Sequence, residues 1–61
     1  KMTTEELEEG SAYSIEWIDG DYKTNCIFIR EHRGFLIFED SNGSRVFCRP
    51  TSIKSLTLLK G

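Results

Sequence analysis

Two Asx-Gly pairs, Asp19-Gly20 and Asn42-Gly43, each stand between short runs rich in apolar and β-branched residues. Such pairs suit the positive backbone angles of a tight hairpin loop. A chain reversing at both places has no space for long helices between them, so a β-meander is predicted.

The runs themselves fit that reading. Tyr13, Ile15 and Trp17 alternate with Ser14 and Glu16, the period of a half-buried strand. With Asp19-Gly20 as the turn, Glu16 faces Lys23, Trp17 faces Tyr22 and Ile18 faces Asp21. An aromatic pair beside an opposite-charge pair favours this register. The second strand is expected over about Tyr22 to Arg30. Its Cys26-Ile27-Phe28-Ile29 centre is apolar on both faces, which predicts a central, strongly bent strand. Glu31-His32-Arg33-Gly34 makes the next turn, with Gly34 free to take positive φ.

The third strand is Phe35 to Asp40 and the fourth Arg45 to Arg49. A two-residue Asn42-Gly43 loop sets Asp40 opposite Arg45 and Phe38 opposite Phe47. Pro50 has no N–H to pair, so the chain turns there, with Thr51-Ser52 as one turn of 3₁₀ helix. Ile53 to Leu59 is the last strand, with Ile53, Leu56, Leu58 and Leu59 available for burial. Residues 1–10 read as a short N-terminal helix or arm, with Thr3 or Thr4 as cap, early glutamates at its positive end and Gly10 as its stop. The expected fold is therefore all-β. It is a small five-stranded, strongly bent antiparallel barrel over residues 11–61, with a short N-terminal helix in front.

Size and charge limit the function classes. A chain of 61 residues buries only about 60% of its unfolded surface, so self-association is the expected support. Cys26 and Cys48 cannot form a disulfide scaffold. With His32 they fall short of a structural zinc set, so no metal is expected. No apolar run approaches the roughly 20 residues of a membrane span, and no secretory leader pattern is visible. A cytoplasmic protein with reduced core thiols is the expectation. The net charge of −2 is unevenly spread: residues 1–10 carry −3 and residues 11–61 carry +1. That is no general basic footprint, so any nucleic-acid contact must be local. Glu39 and Asp40 point to opposite faces of a strand, and no nucleophile elbow, phosphate loop or metalloprotease motif is present. No enzyme activity and no cofactor are expected.

Two stretches carry a resemblance. Ile15-Glu16-Trp17-Ile18-Asp19-Gly20 fits the V-x-L-x-x-G opening of a first Sm motif, with Asn25, Ile27 and Glu31 at its later glycine, leucine and acidic positions. Cys48-Arg49-Pro50-Thr51-Ser52-Ile53 is similar to the second motif, I-R-G-x-x-I/V, with Pro50 in place of glycine. The chain thus resembles the Sm/Lsm family, which includes Hfq, within the wider group of SH3-like small barrels. The resemblance implies an RNA-binding homo-oligomeric ring of five to seven subunits, the fourth strand of one pairing with the fifth of the next. It implies single-stranded RNA contact by Arg49, near the lumen, with His32 as a stacking ring and Glu31 and Arg33 beside it. Phe35 falls where the family keeps a base-reading Asn.

The bland alternatives are specific too. Arg49 could guard an edge strand against aggregation, and His32 and Arg33 could be a solvated turn. Trp17 and Tyr22 read as a structural pair or as an exposed aromatic contact. The rival function is a protein-interaction or assembly module on the same barrel, with the aromatics around Trp17 and Tyr22 as its surface and no nucleic-acid role.

Overall fold

The computed structural model describes residues 7–20 and 22–59. Five strands form one sheet: β1 (Ala12–Trp17), β2 (Lys23–His32), β3 (Phe35–Asp40), β4 (Arg45–Cys48) and β5 (Ile53–Leu58). All neighbours are antiparallel, and the order is β4-β3-β2-β1-β5. The all-β expectation holds, and Pro50–Ser52 is a 3₁₀ turn as the proline predicts.

Every strand sends alternate residues into one interior. Tyr13 and Ile15 come from β1, Cys26 and Phe28 from β2, Leu36 and Phe38 from β3, Cys48 from β4 and Ile53 from β5. A flat sheet could not bring β4 and β5 to a shared core, so the sheet is curled. The Phe28 and Phe38 rings lie 5.4 Å apart and tilted by 57°, a geometry that aromatic quadrupoles favour. The curl of β2 has a local cause: Phe28 pairs with Phe38 and Arg30 with Ile37, which leaves Ile29 as an extra, bulged residue. Such a bulge bends its strand and raises the local twist.

The expected closed barrel is not formed. The five-stranded sheet ends at β4 on one side and β5 on the other, with no ladder between them. β4 is only four residues long, Pro50 cannot extend it, and β5 uses its inner edge on β1. The last strand is also less buried than its composition suggests. Ile53 is buried, but Leu58 and Leu59 are exposed.

The predicted N-terminal helix falls partly on residues 1–6, which lie outside the described residues. Residues 7–10 are not helical but end in a turn. Gly10 takes φ +87° and donates its N–H to the Phe28 carbonyl at 2.8 Å, while Phe28 N–H returns to the Ser11 carbonyl. The Glu8 N–H is also occupied, by the Tyr13 hydroxyl at 2.8 Å. These bonds draw the segment onto β2 and compete with a helical turn. Leu59 N–H donates to the Ala12 carbonyl at 2.9 Å, so the chain leaves β5 beside the point where it enters β1.

The first hairpin has the expected register, with Glu16 opposite Lys23. The second is displaced by one residue. Glu39, not Asp40, faces Arg45, and Phe38 faces Val46 rather than Phe47. Asp40 causes the shift. Its Oδ1 accepts from the N–H groups of Asn42 and Ser44 at 2.9 Å each, and its carbonyl accepts from Gly43. With Gly43 at φ +84°, this is a three-residue loop closed by a bulge, not the two-residue loop. A one-residue slip exchanges faces along a strand. Val46 and Cys48 therefore point inward, and Phe47 is 63% exposed.

Candidate ligand-binding groove

Two groups of side chains collect at opposite ends of β2. At the start of β2, the β1–β2 and β3–β4 hairpins approach each other across the open side of the sheet. Between them lies a groove of about 340 Å³, lined by Trp17, Tyr22, Thr24, Cys26, Asp40, Val46, Phe47, Cys48 and Ser52. That volume is at the lower end of the range for small-ligand sites.

Each wall has a local reason. Trp17 pairs with Ile53 across a register break between Glu16 and Trp17, and a bulge of this kind re-aims the side chain it carries. The indole Nε1–H donates to Thr24 Oγ1 at 2.9 Å, which fixes the ring in its plane. Tyr22 is 56% exposed and lies over Gly20, where an added methyl group would come within 2.7 Å of two ring carbons. Gly20 is needed here for close approach, not for a left-handed angle. Asp40 lies opposite Cys26 and so turns inward, while its neighbour Glu39 turns outward beside Arg45, 3.9 Å away. The two turn bonds to Asp40 both fall on Oδ1, which holds the carboxylate in place at the edge of the groove. Val46 and Cys48 form the apolar floor beside the buried Cys26.

Burial, aided by the nearby Cys26, pushes the Cys48 thiol up to about 11 from an ordinary value near 9. The folded chain thus keeps this proton where the unfolded chain loses it. The resulting stability is complete below the ordinary thiol range and is lost as pH rises toward the folded value. Urea midpoints compared at neutral pH and above pH 10 are expected to fall further for the native chain than for Cys48→Ala. Equal falls would contradict a shielded thiol.

The second group lies at the far end of β2. His32 pairs with Phe35, and the Arg49 guanidinium sits 4.7 Å from the Phe35 ring centroid, a cation–π contact. Glu31 precedes His32 at the end of β2, and Arg33 occupies the turn at φ +52°. The structure therefore brings Glu31, His32, Arg33 and Arg49 to one end of the sheet, all exposed. It places Trp17 and Tyr22 together elsewhere.

Sequence reasoning did not single out Asp40, Phe35 or Phe47 for a site. Asp40 could have been found from its place three residues before Gly43, the pattern of a turn-capping carboxylate. All four arginines of the chain fall between residues 30 and 49, which also marks this half as the basic one. Among the described residues no cluster of three metal-ligating side chains occurs, and no helix is long and apolar enough to cross a membrane.

Comparison with protein-family models, curated proteins and solved structures gives no match.

Proposed function

We propose that this chain is a non-catalytic interaction module whose contact surface is the Trp17–Tyr22 groove, where it receives a cationic side chain of a partner protein. One observation carries the reading. Three aromatic side chains, Trp17, Tyr22 and Phe47, and an inward carboxylate, Asp40, border one groove that is otherwise apolar or hydroxyl-lined. Aromatic faces and a carboxylate both attract positive charge.

A second reading has its own support. Arg49 over Phe35, with His32 opposite, gives cations and a stacking ring at the turn where an Sm-like protein would hold single-stranded RNA. The unpaired outer edges of β4 and β5 would suit subunits joined strand to strand in a ring of five to seven copies. It ranks second because Phe35, which already holds Arg49, stands in place of the base-reading Asn.

The single tryptophan of the chain reports on the first site. Titration with a short Gly/Ser peptide carrying one central lysine is expected to change Trp17 emission with saturation below the millimolar range, and Trp17-independent uridine-oligonucleotide retention is expected to be absent. A titration flat to every cationic form of that peptide would overturn the groove reading. Oligonucleotide retention that falls steeply with salt and is lost in Arg49→Ala, together with a five- to sevenfold mass by light scattering, would establish the second in its place.

A further inference from the structure

The groove holds few groups able to satisfy a bare ammonium. Lysine brings three N–H donors and a tightly held water shell. Against these the lining offers the Asp40 carboxylate, the Ser52 and Tyr22 hydroxyls, and Thr24 Oγ1, which already accepts from Trp17 and lies 3.6 Å from Cys26 Sγ. The remaining surface is Trp17, Tyr22 and Phe47 with Val46 and the two cysteines. An unmodified ammonium would exchange a tightly held water shell for these few, scattered acceptors, which is costly.

We infer that the preferred ligand is an alkylated ammonium, with dimethyl-lysine the best match. This rests on the groove being the contact surface. A dimethylammonium keeps its charge but carries a single N–H, and the Asp40 carboxylate, fixed by its turn bonds, borders the groove to receive it. Its methyl groups add apolar surface and spread the charge toward the rings, which suits Trp17 and Tyr22. Association of such cations with aromatic walls is a general recognition mode. The charge complementarity is local: Glu39 is drawn outward to Arg45 and Glu16 toward Lys54 and Ser55, so Asp40 is the carboxylate that the groove presents.

The experiment uses the whole chain and Trp17 emission. The same Gly/Ser peptide is titrated with its central residue as lysine, dimethyl-lysine or neutral acetyl-lysine. Dimethyl-lysine is expected to bind about five- to tenfold more tightly than lysine, with acetyl-lysine inert. Asp40→Asn, which keeps the turn acceptor but removes the charge, is expected to reduce that preference while its urea midpoint stays near the native value. Equal affinity for lysine and dimethyl-lysine would overturn the alkyl preference and leave the interaction module standing. Acetyl-lysine binding as well as dimethyl-lysine would overturn the role of charge. No response to any peptide would remove the groove reading itself, and this inference with it.

Discussion

Replacing Phe38 by alanine is expected to leave the chain largely unfolded at room temperature. Phe38 is fully buried in the centre of β3 and its ring meets Phe28. Truncating a core phenylalanine to alanine typically costs about 3–5 kcal/mol. Folded domains hold about 0.05–0.15 kcal/mol per residue, which for a chain of this length is roughly 3–9 kcal/mol in all. The loss is therefore comparable with the whole margin. Near-ultraviolet circular dichroism and a urea titration would read it directly. Phe38→Leu keeps most of the apolar volume and is expected to stay folded with a lowered midpoint. If Phe38→Ala melted within a few degrees of the native chain, Phe38 would not be the centre of the core.

The second large effect is expected at Asp40. Its Oδ1 serves two backbone N–H groups in the β3–β4 loop, those of Asn42 and Ser44. Asp40→Ala removes the acceptor of both bonds, and a net loss of about 1–3 kcal/mol is expected, moderated because the loop is exposed and water can substitute. Asp40→Asn retains a carbonyl acceptor and is expected to recover most of that stability. Urea midpoints of the two variants separate the turn role from the charge: equal losses in both would mean that the carboxylate charge, not the turn geometry, supports the loop.

These two positions also show where local sequence signals suffice and where they do not. The Asp19-Gly20 reversal and the Glu16–Lys23 pairing were legible from local spacing, although Gly20 takes no positive φ. The four apolar residues at Cys26–Ile29 announced a bent central strand, and the bulge at Ile29 is how the bend is made. The second hairpin was readable as a reversal but not in register. Asn42-Gly43 invites a two-residue loop, yet Asp40 captures the Asn42 N–H and lengthens the loop by one. That single competition moves Phe47 out of the core and brings Val46 in.

The same reasoning accounts for the site. Trp17 and Tyr22 could be paired from the first turn alone. Whether Asp40 shares their groove depends on its facing Cys26 across β2 and β3 and on the curl of the whole sheet, neither of which local spacing encodes. The failure of the barrel to close was equally hidden, because it depends on β4 stopping after four residues.

The hydrogen bond from Leu59 to Ala12 has a consequence for how such a unit can be carried. Because the two ends of the meander emerge at neighbouring points, a host polypeptide could accept it within an external loop with little change in the span that loop must cover. The Trp17–Tyr22 cleft is built by the hairpins instead, so it can be altered independently of that junction.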